Sequence, residues 1–478
     1  MGSRKVLLTI GAGLVSAALF YLGTGLHPLW PLLWLAPIPV LAIASQLRPI
    51  VTVLLGFTGF FIGEMNMWTF LTRGIDLPLG IVIASLAIPA LVFGVGVAFT
   101  RAFIRRGWLW LAALALPVYW VTYEYLTAIG SPHSTFANLG YTQMNCLPVI
   151  QLASLTGIWG ISFAVFLFAG TVAALLSGRG EPSQRRAVTF TVAAVLGVVF
   201  LFGAERLRNA AGQLVSVALI AKDVSLNAYL GPQTQTLELF NEYSDEILRA
   251  LSAGTQVVVL PEKIGRLNES GLQQLDAVFC SVAKATHVPI DLGVVRQTSS
   301  GAFNSSRFYS PDGKVEANYD KHHLLPGVEP EKPGRERVTL DQPVGRWGLQ
   351  ICKDMDFPLL SREYARQGVN LMLVPAWDFN LDGWLHARMA VLRGVENGFA
   401  LARAARNGLL TLSDSRGRIL AEVGSMPGQF VTTRGQVKLT PERTFYAQTG
   451  DWFAWLCVAT LVLLALSLLR SQSANQVN

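Results

Sequence analysis

The stretch Val257-Val-Val-Leu-Pro-Glu262 decides the fold of the second half of the chain. Four apolar residues in succession, three of them β-branched, are typical of a short strand that is buried on both faces of a sheet. Glu262 is the first charged side chain after this strand. We therefore expect it at the rim of a sheet, which is where α/β proteins place their functional sites.

Neighbouring segments predict more strands and helices. Residues 215–220 form a second short apolar run, and residues 236–251 between the two runs have the spacing of a helix with one apolar face. Turn sequences at 310–313 and 413–417 predict two hairpins. Further strands are predicted at 290–295, 303–309, 349–352 and 370–374. Buried strands that alternate with helices indicate an α/β domain.

The first part of the chain has the composition of a membrane protein. Hydrophobic residues make up 51% of the 478 residues and charged residues only 14%, whereas a soluble domain carries about 25% charged residues. Because a membrane-spanning helix needs about 20 mostly apolar residues, we predict roughly eight of them. They lie near residues 5–22, 28–46, 50–71, 78–100, 108–127, 155–176, 187–203 and 452–469.

Basic residues predict the orientation of these helices. They recur at alternate helix ends: Arg4, Lys5, Arg48, Arg101, Arg105, Arg106, Arg179, Arg185, Arg186 and Arg470. The positive-inside rule places such ends in the cytoplasm. We therefore expect a transmembrane domain at 1–204, an extracytoplasmic α/β domain at 205–450, and a last transmembrane helix with a cytoplasmic tail at 451–478.

Several classes of function are not indicated. The net charge is +7, but no Lys/Arg-rich tract with interleaved aromatic residues suggests nucleic-acid binding. The four cysteines form no CxxC pair, so neither a disulfide framework nor a zinc site is expected. His322 and His323 are adjacent and point in different directions, and no third ligand is evident. We expect no metal and no cofactor.

Three polar residues lie at or just after predicted strand ends: Glu262, Lys321 and Cys352. A cysteine beside a base becomes a strong nucleophile, a carboxylate can take its proton, and a lysine ammonium can stabilise an oxyanion. This set suits acyl transfer. The residues alone also allow a plainer interpretation, in which the cysteine is a small buried hydrophobe and the charged residues are solvated or paired.

Two of these residues lie in longer blocks, Tyr319-Asp-Lys-His-His-Leu-Leu-Pro326 and Leu349-Gln-Ile-Cys-Lys-Asp-Met-Asp-Phe-Pro358. With the block that ends at Glu262, they resemble, in the same order, the signature blocks of the nitrilase (carbon–nitrogen hydrolase) superfamily. The resemblance implies an α-β-β-α sandwich and a Glu262, Lys321 and Cys352 triad. It also implies a second, assisting glutamate at Glu329, which the residues alone leave open as a surface carboxylate.

Segments outside these blocks extend the resemblance. They are Ser131-Pro-His-Ser-Thr-Phe-Ala-Asn-Leu-Gly-Tyr141, Trp384-Leu-His-Ala-Arg-Met-Ala390 and Thr444-Phe-Tyr-Ala-Gln-Thr-Gly-Asp451. Together with the order of membrane helices, α/β domain and last helix, they resemble the apolipoprotein N-acyltransferase family. The resemblance implies a monomer in the bacterial inner membrane, with the α/β domain on the periplasmic side. This monomer would transfer an acyl chain from a phospholipid, through a thioester on Cys352, to the N-terminal amine of a lipoprotein.

Some residues depart from that family. Lys353-Asp354 follows the nucleophile where the family typically has Tyr-Glu, and Pro375-Ala-Trp-Asp378 stands where Ser-Asn-Asp is usual. We expect Lys353, Asp354 and Trp377 to bind substrate. The run 353–358 is closer to soluble nitrilases, so a membrane-anchored amidase or nitrilase-like hydrolase of a small amide is the alternative. A scaffold or transporter is a further rival, although no buried charge series supports transport.

Overall fold

The computed structural model describes residues 3–208, 212–225, 229–440 and 442–477. Residues 1, 2 and 478, at the ends of the predicted first and last segments, lie outside these ranges. The chain forms two compact units, which are described separately. The first comprises Met1–Ser131, Thr135–Arg208 and Thr449–Asn478, and the second comprises Pro132–Ser134 and Asn209–Gln448.

The first unit is helical. In chain order its α-helices are α1 (Ser3–Gly23), α2 (Trp30–Leu35), α3 (Ile38–Ala44), α4 (Pro49–Gly63), α5 (Leu79–Arg106), α6 (Leu109–Gly130), α7 (Leu147–Ile150), α8 (Ala153–Thr156), α9 (Trp159–Leu176), α10 (Pro182–Arg206) and the C-terminal helix Trp452–Val477. Six of the described helices are long and apolar enough to cross a membrane: Ser3–Gly23, Pro49–Met67, Leu79–Arg106, Trp159–Leu176, Pro182–Arg206 and Trp452–Ser471.

Two of the predicted spans differ from this set. Residues 28–46 form α2 and α3 instead of one continuous helix, because the chain breaks at Pro37, which has no N–H for a helical hydrogen bond. The prediction of a single helix there is wrong. Residues 108–127 do form one helix, α6, which is not among these six and carries the buried Glu124.

The second unit contains two sheets and the helices that cover them. Its strands are β1 (Gln213–Lys222), β2 (Val257–Val259), β3 (Arg266–Leu267), β4 (Ile290–Thr298), β5 (Gly301–Tyr309), β6 (Val315–Asp320), β7 (Thr339–Gln342), β8 (Gly345–Leu349), β9 (Val369–Trp377), β10 (Ala400–Arg406), β11 (Leu409–Ser413), β12 (Ile419–Gly424) and β13 (Phe430–Leu439). Its helices are α11 (Gln233–Ala250), α12 (Glu269–Thr286), α13 (Pro358–Arg366), α14 (Gly383–Asn397) and α15 (Phe445–Thr449), which ends at the unit boundary.

The two sheets lie face to face between two layers of helices. The first has the strand order β13-β1-β2-β4-β5-β6, with β3 beside β4, and the second has the order β12-β11-β10-β9-β8-β7. β1 contacts β10 and β4 contacts β9 across the middle layer, while α12 covers the first sheet and α14 the second. This arrangement confirms the predicted α-β-β-α sandwich.

Parallel strands at the centre of each sheet position the site. β1, β2 and β4 are parallel neighbours in the first sheet, and β8, β9 and β10 are parallel neighbours in the second. The strands and both hairpins expected from the sequence are present, with one difference. β8 ends at Leu349, and Cys352 begins a 3₁₀ helix, Cys352–Asp356, instead of ending the strand. Cys352 has φ +42°, a left-handed backbone conformation that no strand residue adopts.

Candidate active site

Glu262 lies in the turn that follows β2 and is almost fully buried, with 2% of its surface exposed. Its backbone N–H donates to the carbonyl of Ala376 on β9, 3.2 Å away, which ties the turn to the second sheet. Gly293 on β4 packs directly against this turn. A Cβ atom at that position would lie 2.5 Å from both Glu262 Cα and the Pro261 carbonyl oxygen, so only glycine fits there.

Lys321 follows β6 and is equally buried. Its Nζ donates to Glu262 Oε1 and to Glu329 Oε2, each 2.8 Å away. Burial lowers the pKa of the Lys321 ammonium, but the charges of the two carboxylates outweigh burial and hold that pKa well above its usual value. Lys321 is therefore a fixed cation. An ammonium has three donors, and the third has no partner among the residues that the structure describes.

The two glutamates differ in how they are bonded. Glu329 Oε1 accepts from Lys263 (2.8 Å) and Asn304 (2.9 Å), and its Oε2 accepts from Lys321 and from the Leu325 N–H (both 2.8 Å). Burial raises the pKa of Glu329, but Lys321 and Lys263 outweigh burial and hold it well below its usual range. Each oxygen of Glu329 accepts two hydrogen bonds, and the two lysines stabilise its negative charge. Glu329 is therefore poorly suited to accept a proton.

Glu262 is bonded on one oxygen only. Its Oε1 accepts from Lys321 and from Asn304 Nδ2, which lies 2.6 Å away. Its Oε2 has no hydrogen-bond partner among the described residues and is thus available to take a proton. Asn304 donates to both carboxylates, and its position on β5 places it between them. Of the two acids, Glu262 is therefore the candidate base.

Cys352 is half-buried at the start of its 3₁₀ helix, and its thiol donates to the Trp377 carbonyl oxygen, 3.6 Å away. Burial raises the pKa of this thiol, and Glu262 raises it further, while Lys321 opposes them only in part, so the net pKa lies well above its usual value. The resting group is a thiol, not a thiolate. Nucleophilic attack by Cys352 hence requires a base to remove the proton as the new bond forms.

The turn that holds Cys352 is organised by Asp354. This carboxylate is fully buried and accepts from the Ile351 N–H (3.1 Å), the Tyr319 hydroxyl (2.7 Å) and the His323 N–H (2.8 Å). These bonds join the Cys352 turn to the segment that carries Lys321. They stabilise a backbone whose positive φ at a non-glycine residue costs about 1–3 kcal/mol. The contacts of Asp354 are those of a positioning residue, and its predicted contact with substrate stays a prediction.

Lys353 and Trp377 are the other two residues expected to bind substrate: Lys353 follows Cys352 in the chain, and the Trp377 carbonyl oxygen accepts from its thiol. Lys353 Nζ lies 3.2 Å from Asp356 Oδ2 and 3.4 Å from His133 Nδ1, a residue of the segment Pro132–Ser134. Trp377 ends β9, and its indole faces the guanidinium of Arg406 at 3.5 Å. The contact of these two side chains with substrate also stays a prediction.

Three buried polar residues that the sequence did not single out complete the site: Asn304, Lys263 and Arg406. Asn304 bonds both glutamates, Lys263 bonds Glu329 and Glu331, and Arg406 donates to the Lys263 carbonyl oxygen, 2.9 Å away. The only feature of the sequence that could have indicated these three residues is that each lies on or just after a strand. No group of three or more His, Cys, Asp or Glu side chains in the described part of the chain could hold a metal ion.

Comparison with known proteins finds a matching domain in each half of the chain. A model of the carbon–nitrogen hydrolases matches residues 217–433, and a model of the apolipoprotein N-acyltransferase N-terminal domain matches residues 16–171. The apolipoprotein N-acyltransferase of Geobacter metallireducens is 28% identical over 99% of this chain and 96% of its own length. The chain thus combines an apolipoprotein N-acyltransferase N-terminal domain with a carbon–nitrogen hydrolase domain.

A second relative and one solved structure are also similar to parts of this chain. The apolipoprotein N-acyltransferase of Rhodopseudomonas palustris is 27% identical over 79% of this chain and 77% of its own length. Among solved structures, Saccharomyces cerevisiae Nit3, a member of branch 10 of the nitrilase superfamily, aligns with a TM-score of 0.41 and 24% identity over 50% of this chain and 95% of its own.

The two matched domains fall in different parts of the chain. The matched N-terminal model lies in the helical unit, and the carbon–nitrogen hydrolase model contains Glu262, Lys321, Glu329 and Cys352. Six described helices are able to cross a membrane, so the protein is a membrane protein. Its relatives and its carbon–nitrogen hydrolase domain make it an acyltransferase.

Proposed function

We propose that this acyltransferase moves a fatty acyl chain from a membrane phospholipid to the N-terminal amine of a lipoprotein, through a thioester on Cys352. One observation carries the proposal. In a chain with these two domains, the ammonium of Lys321 is held between Glu262 and Glu329, and the charges of Lys321 and Glu262 both act on the thiol of Cys352. A cysteine, a base and a fixed cation are the parts that acyl transfer through a thioester requires.

In the first half of the reaction, Glu262 Oε2 takes the thiol proton while Cys352 Sγ attacks the ester carbonyl of the phospholipid. The third N–H of Lys321 donates to the oxyanion of the tetrahedral intermediate. The intermediate collapses, the C–O bond of the ester breaks, and the leaving lysophospholipid oxygen takes the proton from Glu262. A thioester and a lysophospholipid result.

In the second half, the neutral N-terminal amine of the lipoprotein attacks the thioester carbonyl. Glu262 takes a proton from the attacking nitrogen, and Lys321 again donates to the oxyanion. When the intermediate collapses, the C–S bond breaks and the sulfur takes the proton back from Glu262. The product is an amide, and the enzyme returns to the thiol state in which it began.

The roles of the two glutamates follow from their bonding. Glu262, with one free oxygen, carries the proton in both halves. Glu329, with four donors on its two oxygens, remains an anion and helps to keep Lys321 charged. We further infer that the enzyme acts as a monomer in the bacterial inner membrane, with its catalytic unit on the periplasmic side. Basic residues at the predicted cytoplasmic helix ends support this orientation.

Acyl capture on Cys352 tests the proposal. The purified protein is incubated with a phospholipid that carries a labelled acyl chain, and the mass of the intact protein is measured before and after addition of a diacylglyceryl-cysteine peptide. We expect one acyl group on the wild type and on Cys280→Ala, none on Cys352→Ala, and transfer of the label to the peptide amine. Cys280 is a suitable control because it lies half-buried on α12.

Two results would contradict this function. A wild type that never carries the acyl group would exclude the thioester route. Release of free labelled fatty acid at the same rate with and without the peptide would instead indicate a hydrolase. Turnover of a small amide by the same preparation would then favour the membrane-anchored amidase.

A further inference from the structure

Arg406 is a buried arginine at the last position of β10, with 1% of its surface exposed. In the sheet it is paired with Trp377, the last residue of β9. Its guanidinium lies 3.5 Å from the centre of the Trp377 ring and 5.7 Å from the centre of the Tyr229 ring. Two aromatic side chains therefore fix the plane of this guanidinium at the rim of the second sheet.

The charge of Arg406 is not neutralised by a carboxylate among the described residues. The other fully buried arginines of this unit have such a partner, since Arg403 is paired with Asp378 and Arg393 with Glu396. Burial lowers the pKa of Arg406, and neighbouring tyrosines and acids oppose burial only in part, so that its pKa is about 10. At neutral pH it is a cation. A buried cation without a partner costs several kcal/mol, so a site that retains one is suited to an anionic ligand.

The donors that remain free share one edge of the guanidinium. Nη1 donates to the Lys263 carbonyl oxygen, 2.9 Å away, whereas Nε and Nη2 have no hydrogen-bond partner in the described part of the chain. The N–H bonds of Nε and Nη2 run parallel on the same edge. That edge matches two oxygens of one phosphate or carboxylate, the geometry of a bidentate pair.

Arg406 is also close to the reacting groups. It is bonded to the residue that follows Glu262, and the charge of Glu262 acts on its pKa. It stacks on Trp377, whose carbonyl oxygen accepts from the Cys352 thiol. The Arg406 side chain thus shares neighbours with both the candidate base and the nucleophile, so an oxyanion on its free edge would lie in the same part of the second unit as the reacting groups.

We propose that the Nε and Nη2 edge of Arg406 binds the phosphodiester of the phospholipid donor and makes Arg406 a specificity-determining residue of the first half of the reaction. The assignment rests on the proposed function. Because both nitrogens are shielded from solvent in this structure, the ligand reaches them only when a neighbouring side chain moves. Tyr229, whose ring packs near both Trp377 and the guanidinium of Arg406, is the neighbour that we expect to move.

The test compares an acyl donor that has a phosphate with one that has none. The rate of acyl-Cys352 formation is measured against the concentration of a phospholipid and, separately, of a fatty-acyl p-nitrophenyl ester, for wild type, Arg406→Gln, Arg406→Lys and Arg346→Gln. The matched control, Arg346, is a partly exposed arginine of β8 paired with Asp341. Thermal unfolding of each variant is recorded.

For Arg406→Gln, the half-saturating phospholipid concentration should rise on the order of ten- to hundredfold, as expected when a charged hydrogen-bonded pair is lost. With the nitrophenyl ester, which has no phosphate, the same variant should lose distinctly less than with the phospholipid, and the ratio of the two losses is the readout. The half-saturating phospholipid concentration of Arg406→Lys should lie between those of wild type and Arg406→Gln, since lysine keeps the charge but not the parallel donors. Arg346→Gln should match wild type with both donors. An equal loss with both donors would overturn the proposal and leave Arg406 as a support of the Glu262 turn.

A second measurement does not depend on acyl transfer. Glycerophosphoethanolamine should slow alkylation of Cys352 by iodoacetamide in the wild type and not in Arg406→Gln. Protection by inorganic phosphate alone would instead indicate a site for free phosphate, and no protection by either would overturn the anion site. If the wild type is acylated by the nitrophenyl ester but never by phospholipid, while glycerophosphoethanolamine still protects Cys352, the proposed function fails and the anion site survives.

Discussion

At the scale of single residues, the two glutamates of the site have different proposed roles: Glu262 transfers the proton, and Glu329 helps to keep Lys321 charged. Glu262 and Glu329 are both bonded to Lys321 and Asn304, yet only Glu262 keeps an oxygen without a partner among the described residues. The Cys352 thiol, whose pKa is raised by burial and by Glu262, needs such an oxygen. The two acids should consequently respond differently to the same substitution.

Glu262→Gln removes the base and keeps the shape of the side chain. General base catalysis contributes typically 10²- to 10⁴-fold, so the rate of acyl-Cys352 formation should fall by about that factor. Glu329→Gln should reduce the rate less, because the thiol proton can still be transferred to Glu262. Single-turnover acylation of both variants measures the difference. Equal losses would contradict the assignment of the base.

Glu329→Gln should also change the pH dependence of the reaction. Burial lowers the pKa of Lys321, and Glu262 and Glu329 together raise it well above its usual value. With Glu329 neutral, part of the opposing effect is lost and the pKa of Lys321 falls. Since the protonated lysine is the active form, activity should be lost on the alkaline side at a lower pH than in wild type. The pH profile of acylation tests this, and an unchanged alkaline limb would contradict it.

At the scale of elements, the sequence predicted strands well and their exact ends less well. The strands around 215–220, 257–260 and 290–295 were recognisable because they are rich in β-branched and aliphatic residues, as expected for strands buried on both faces. Cys352 was placed in β8 although the strand ends at Leu349. Its left-handed φ depends on the bonds that Asp354 makes to Tyr319 and His323, which no local pattern reveals.

The same limit explains which members of the candidate site were predicted. Glu262, Lys321, Cys352 and Glu329 were found through blocks of sequence that resemble a known superfamily. Asn304 and Arg406 were not, because their roles depend on contacts with residues 42 and 143 positions away in the chain. Such contacts are set by strand order in the two sheets, and neither residue type is unusual at the end or in the middle of a strand.

Gly293 on β4 tests how this strand positions the turn after β2 that carries Glu262. Gly293→Ala places a Cβ 2.5 Å from the backbone of Pro261 and Glu262, which must shift because backbone atoms cannot rotate away. Overpacking of this kind costs typically about 1–3 kcal/mol, and here the shift moves the base. We expect at least a tenfold loss of acylation. Gly424→Ala on β12, where a Cβ would meet nothing within 4 Å, is the matched control.

Acylation rate and thermal unfolding, measured together, separate the two effects in these glycine variants. Gly293→Ala should lose activity while still unfolding cooperatively, and Gly424→Ala should match wild type in both respects. A fully active Gly293→Ala would mean that the turn tolerates displacement of Glu262 and that its position is less critical than the geometry indicates.

At the scale of the whole molecule, contacts within the helical unit bring basic helix ends together. Lys5, near the start of α1, donates to the Gln46 carbonyl oxygen just beyond α3 (2.6 Å). Arg101, near the end of α5, donates to the Leu47 carbonyl oxygen (2.6 Å), and Arg179, just after α9, to the Arg105 carbonyl oxygen (3.0 Å). The residues that the positive-inside rule assigns to the cytoplasm thus meet at one end of this unit.

The broken helix of residues 28–46 runs alongside α1. The Leu29 N–H donates to the Leu22 carbonyl oxygen at the end of α1, and Gln46 lies beside Lys5 at its start. Although Trp30–Ala44 is too short and too interrupted to count as one spanning helix, it returns the chain along the full length of α1. We therefore expect this segment to cross the membrane as a helix pair broken at Pro37.

Reporter fusions at two positions test this crossing and, with it, the orientation of the enzyme. A reporter that is active only outside the cytoplasm should be active when fused after His27 and inactive when fused after Arg48, because the two residues flank the α2–α3 pair. A fusion after Arg208 should be active, since it begins the catalytic unit, and one after Gly178 inactive. If the fusions after His27 and Arg48 behave alike, the pair does not cross. The number of crossings before residue 208 then changes by one, and the catalytic unit would lie on the same side as the N-terminus.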